Sequence, residues 1–232
     1  RCLSRGLGDV YKRQMLIIVG FWGFLMACMI LPGEGWSWTA NTGTTIYGTP
    51  MNLSALSFNI LMGIAGGIIG AWLLNRDPFW MMSGALAGII SVASGLDIYF
   101  PALAFIVAIV AGLLLRPAAK MLESFGIDDA VGAVTVHGTI GVYGMVVFGI
   151  FAQGYPALFI ENAPTVSILG QLVGAIVTSL CGFIPGYILS LCLSGLGMLR
   201  TPEAAEIAGL DTTKVPAQAF PEGIPASAQP AE

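Results

Sequence analysis

The sequence predicts an all-α fold: a polytopic membrane helical bundle of about six transmembrane helices. Three observations lead there. Only 9% of the 232 residues are charged while 56% are hydrophobic, against about 25% charged in an ordinary soluble domain. The apolar residues gather in six continuous stretches without strict alternation, which favours helices over a β-barrel. Beyond the first fourteen residues, every Lys and Arg falls on alternate connections or on the tail, the pattern of a chain that threads a bilayer repeatedly.

The stretches are residues 15–31, 53–74, 79–95, 98–115, 130–152 and 166–199. A span needs about 20 residues, within about 17–25, and the first five fit or nearly fit. The sixth has 34 residues. As one helix it would be about 51 Å long, too long for an upright crossing and too short for two crossings and a turn. Pro185-Gly186 marks a place for a kink. Charge decides the matter. The connections at 32–52, 96–97 and 153–165 carry no Lys or Arg, whereas Arg76, Arg116 and Lys120 lie on the other two and Arg200 and Lys214 on the tail. A single crossing by 166–199 puts all of them on one side, the cytoplasmic one. The chain is then read as a multi-pass protein of the cell membrane (plasma or inner) with a cytoplasmic C-terminus. Its glycines, 31 in number, sit mostly inside apolar runs, where small residues let helices approach closely.

The two ends are different material. Residues 1–14 are polar, hold four of the nine Lys and Arg and precede an abrupt apolar run at Met15. They read as a non-native leader, a cloning or assembly scar. Met15 is then an internal methionine and the chain a fragment. Residues 200–232 hold five Pro and five acidic residues and read as a cytoplasmic tail, largely disordered, with a short helix within 202–210.

Several function classes drop out. The four cysteines form no CxxC pair and read as small apolar residues, so neither a disulfide frame nor a metal site is expected. No phosphate-binding loop, HExxH or Gly-x-Ser-x-Gly is present, and basic residues are too scattered for nucleic-acid binding. The expectation is a protein that is not an enzyme and carries no cofactor.

One residue stands out. His137, the single histidine, lies in the fifth stretch within GAVTVHGTIGVYG, roughly 10 Å along the helix from Ala130. An ionisable group inside a membrane helix is by default a candidate functional group, and an imidazole passes protons at ordinary pH. The alternative is a packed core histidine. Gly132, Gly138, Gly141 and Gly144 share a sector of that helix and read as packing positions. Asp128 and Asp129, at its start, read as structural helix caps, with cation attraction secondary. The aromatic group GFWGF in the first stretch reads as packing or lipid-facing, although its ring faces are able to receive a cation.

The segment IDDAVGAVTVHGTIGVYGMVVFGIFA resembles the tenth span of the ammonium transporter (Amt/Rh) family, where an acidic pair precedes the second of two pore histidines. GFWGF resembles the sixth span, FWMMSGALAGIISVASG the eighth, and LRTPEAAEIAGLD the tail after the eleventh. These segments occur in family order across residues 15–211. The resemblance implies that the second five-span inverted repeat and the final long helix are present. It implies that His137 is a pore and proton-relay residue and Phe24 the outer-gate phenylalanine. Cys28 stands where many members have a serine that accepts a hydrogen bond from ammonium, and cysteine is a weaker acceptor. The implied activity is passage of ammonium or ammonia through an apolar pore. The implied partners are the lipid bilayer, two further copies in a homotrimer, and a cytoplasmic nitrogen-regulatory protein at the tail. The first pore histidine belongs to a span that this chain lacks. An ammonium sensor or transducer on the same fold and a non-transporting membrane scaffold are the alternatives.

Overall fold

A computed structural model of the chain describes residues 2–27, 29, 38, 43–127, 129, 131–157 and 159–208. Cys28, Asp128 and the tail from 209 onward lie outside the described residues. The fold is helical: among the described residues the only strands are the paired two-residue segments β1 (Gly43–Thr44) and β2 (Pro50–Met51). The helices are α1 (Cys2–Ala27), α2 (Leu53–Leu74), α3 (Pro78–Val92), α4 (Pro101–Ser124), α5 (Ile140–Phe151), α6 (Ile168–Gly195) and α7 (Glu203–Ala208). A six-residue π-helical turn, Val134–Thr139, leads directly into α5. Among the described residues five helical runs are long and apolar enough to cross a membrane, and the apolar part of α1, Arg13–Ala27, is shorter. The chain divides into two compact units, Arg1–Ser179 and Leu180–Glu232.

The first unit is built on α2, α3 and α4. Each start is set by local chemistry. Asn52 caps α2 by accepting from the Ala55 N–H at 2.9 Å. Asp77 does the same for α3 through Phe79 N–H at 2.9 Å, with Pro78 in the first turn, where its missing N–H costs nothing. Pro101 opens α4 in the same way. That helix continues to Ser124, nine residues past the apolar run that ends at Leu115. Within it the Arg116 guanidinium lies 5.2 Å from the centre of the Trp80 ring, a cation–π contact available to a half-buried arginine.

Backbone-to-backbone contact decides how the three helices meet. A Cβ on Gly67 of α2 would run into the carbonyl oxygen of Gly84 on α3, and one on Gly88 into that of Gly63. On a neighbouring sector of α2, a Cβ on Gly70 would collide with the carbonyl of Ile109 on α4. In lipid no hydrophobic force drives helices together, so this close van der Waals approach is what small residues provide. Two apolar clusters fill the space at either end. One joins Leu53, Leu56, Ile60, Ile89, Val92 and Tyr99. The other joins Trp80, Leu86, Leu115, Val136 and Ile140.

Asn59 adds a polar lock in the first cluster. It is fully buried, and its Nδ2 donates to the carbonyls of Leu96 (2.9 Å) and Tyr99 (2.8 Å), tying α2 to the connection between α3 and α4. Asn59→Leu keeps the branching at Cγ but loses both bonds. It is expected to lower stability by about 1–3 kcal/mol, read as a drop in the unfolding midpoint of the detergent-solubilised chain.

In the second unit the later part of α6 carries a stacked Phe183–Tyr187 pair, with centroids 5.6 Å apart, and a Ser190 hydroxyl that donates to the Gly186 carbonyl at 2.9 Å. The helix stops at Gly195. Gly197, with φ +68°, turns the chain while Met198 N–H donates back to the Leu193 carbonyl.

Candidate functional site

The π-helical turn presents His137 on its exposed side, and Thr135 and Val136 on its buried side. Its start is fixed by Asp129. That carboxylate accepts from Val134 N–H (3.2 Å), Thr135 N–H (2.9 Å) and the Thr135 hydroxyl (3.0 Å). Gly132, at φ +72°, bends the chain between Asp129 and the turn, a conformation that few other residues adopt without strain. A single π turn within an α-helix is rare and tends to occur where function requires it.

His137 lines an open pocket of about 230 Å³. The pocket lies between α1, which contributes Arg13, Gln14 and Ile17, and the segment 131–137, with Leu86 of α3 also in its wall. Gln14 is buried and donates from Nε2 to the Ser83 hydroxyl at 3.0 Å. Part of the lining therefore comes from residues 13 and 14, which the sequence reading assigns to the leader.

Phe24 is exposed on α1 and meets Phe21 edge to face, with centroids 6.1 Å apart. It stands seven residues beyond Ile17, about 10 Å along the helix, and is not part of the His137 pocket. Cys28 and Asp128 lie outside the described residues. No group of three His, Cys, Asp or Glu side chains suited to a metal occurs among the described residues.

The fold uses several polar groups whose partners the sequence did not reveal. Trp22 donates from its indole N–H to the Ser57 hydroxyl at 3.2 Å, fastening α1 to α2 one turn before the buried Leu25. Thr135 and Asn59 are the others. For Asn59 the signal was present, since an amide within a 22-residue apolar helix is unusual enough to require a partner.

At the end of the bundle where α4 begins, three connections are stitched together. Ile46 N–H donates to the Ile98 carbonyl at 3.0 Å, and the Tyr155 hydroxyl to the Thr44 carbonyl at 2.8 Å. Asp97 belongs to this region. Loss of solvent pushes its carboxyl above the usual range, and a hydrogen bond from its own backbone N–H offsets part of that rise. Burial and the nearby Asp97 push the Tyr155 phenol upward too. Glu161 is a further carboxylate among these connections, where the sequence has no Lys or Arg.

A family model described as the Ammonium Transporter Family matches residues 15–220. The chain is 36% identical over 163 residues to "Ammonium transporter Amt2" of Methanocaldococcus jannaschii, covering 69% of this chain and 38% of that protein. It is 37% identical over 175 residues to "Ammonium transporter Amt1" of the same organism, covering 74% and 44%. Among solved structures, one named "Sensor Amt Protein" matches with a TM-score of 0.62 at 27% identity, over 72% of this chain and 43% of that one. The chain thus spans about two fifths of the length of the relatives it matches.

Proposed function

This chain belongs to the Ammonium Transporter Family and is a multi-pass membrane protein, and from that premise we propose that it supplies the later spans of a pore that moves ammonium or ammonia across the cell membrane. The observation that carries the proposal is the placement of His137. A lone imidazole stands exposed on a π-helical turn, beside a pocket, in a chain that matches this family over 15–220.

An ammonium ion loses its hydration shell on entering an apolar pore, and that desolvation is expensive. Giving up a proton leaves neutral ammonia, which crosses apolar surroundings far more cheaply. His137 is the group of this chain suited to receive or pass that proton. Phe24, well removed along α1, serves in this reading as the outer gate, with Cys28 as the adjoining contact for ammonium. Asp129 keeps the role of structural cap. The end bearing Arg76, Arg116 and Lys120 faces the cytoplasm, as the distribution of basic residues supports. A homotrimer and a nitrogen-regulatory partner at the tail complete the proposal.

The test is uptake of labelled methylammonium by cells lacking their own ammonium transporters and making the whole protein to which these spans belong. Saturable uptake, competed by ammonium, is expected. The likeness to a protein named as a sensor supports a second reading, ammonium sensing on the same fold. That reading expects ammonium to bind without uptake, so the same assay separates the two.

A further inference from the structure

We infer that Asp129 and Thr135 form a register clamp that holds the π-helical turn and thereby sets where the His137 imidazole points. The observations meet at Thr135. Its side chain is fully buried, and both its backbone N–H and its hydroxyl donate to one Asp129 oxygen, at 2.9 and 3.0 Å. The other Asp129 oxygen takes the N–H of Val134. On its far side, the Thr135 carbonyl accepts from the N–H of Ile140, the five-residue step that defines the π turn. Thr135 is thus fixed at both ends, and His137 lies between those two fixed points.

The α5 side of the turn has its own anchors. The Tyr143 hydroxyl donates to the Val107 carbonyl at 3.1 Å. Gly144 lies so close to α3 that an added Cβ would stand 2.7 Å from the Ser91 carbonyl oxygen. Both contacts oppose rotation of α5. The residues before Ile140 therefore take up any change of register.

An α-helix turns about 100° per residue. Relaxation of the π turn to ordinary α geometry shifts residues 134–139 by one step against α5 and turns His137 by about that angle. The carboxylate opposes this because its three bonds are satisfied only with Val134 and Thr135 where they are. Asp129 is in this account more than a cap for orphan N–H groups: it is a positioning residue acting through Thr135. The inference rests on the reading of His137 as the pore histidine for its importance, though not for its geometry.

His137 is the single histidine of the chain, so histidine-selective 15N NMR of the 232-residue protein in lipid nanodiscs reports on one imidazole. In wild type one set of imidazole signals is expected. D129N, which keeps the shape but loses acceptor capacity, is expected to move that set or split it in two. T135V, which removes the hydroxyl bond alone, is expected to move it less and in the same direction, and T135S to restore the wild-type spectrum. Unmoved imidazole signals in a D129N chain whose amide spectrum remains native would overturn the inference. If D129N does not fold, T135V decides: an unmoved imidazole there overturns it equally. Because no transport is measured, failure here leaves the proposed activity standing. Absence of uptake in the assay above leaves the clamp standing.

Discussion

Gly67→Ala is expected to leave the chain largely unfolded or aggregated after extraction, a larger loss than any other single methyl addition to α2 except those at the neighbouring glycine contacts. The added Cβ meets the Gly84 carbonyl oxygen, with the Gly88 Cα at 2.8 Å. These are backbone atoms, so no rotamer change relieves the overlap. The helices have to separate, and the reciprocal contacts are lost with them: a Cβ on Gly84 would in turn stand 2.5 Å from the Gly67 carbonyl. Overpacking a core with flexible neighbours costs about 1–3 kcal/mol. Here the neighbours do not yield, and a cost above about 3 kcal/mol is expected. Gly141→Ala is the control. A Cβ there meets nothing within 4 Å, and replacing a helical glycine by alanine favours the helix by up to about 1 kcal/mol. The measurement is the fraction of monodisperse protein in detergent and its unfolding midpoint. Equal behaviour of the two variants would refute the claim that backbone contact along α2 and α3 holds the first unit together.

That contrast also marks what a sequence is able to say about such a fold. The fold class was legible because a membrane bundle writes itself in composition: few charges, long apolar runs and basic residues on alternate connections. The family was legible too, from a histidine with its acidic leader and from motifs in order. Which glycines touch was not legible. Gly67 and Gly141 both sit in apolar helices, and only the arrangement of α2 against α3 makes one indispensable and the other open. The reach of α4 to Ser124 was hidden for a related reason. Arg116 and Lys120 have the look of a connection, and the Trp80 ring that accommodates Arg116 is 36 residues away in sequence. At the site, His137 was conspicuous as an ionisable group in an apolar run. The π turn that carries it was not, because the extra residue in the turn is fixed by bonds from Asp129 and packing from α3 rather than by local propensity. Thr135, one of many threonines, gains its meaning only from the carboxylate it faces.

If the proposed relay holds, His137→Ala is expected to reduce labelled methylammonium uptake in the assay above on the order of 100-fold, the usual scale for removing a positioned proton-transfer group. Little loss of folded protein is expected with it, since His137 is exposed beside a pocket of about 230 Å³ and contributes little to the buried core. That separation of activity from stability gives the test its force. Gly67→Ala removes the protein, whereas His137→Ala removes a function from a protein still present. If the cargo crosses as neutral ammonia, a proton has to leave it and travel, and without the imidazole the ion faces the full cost of desolvation. If instead the cargo crosses as a solvated ion, the imidazole is dispensable and uptake persists. Uptake near the wild-type level, at equal amounts in the membrane, would therefore reject the relay while leaving ammonium transport itself in place. Loss of uptake with ammonium binding retained would place His137 in translocation rather than in recognition at the mouth, where Phe24 and Cys28 are assigned.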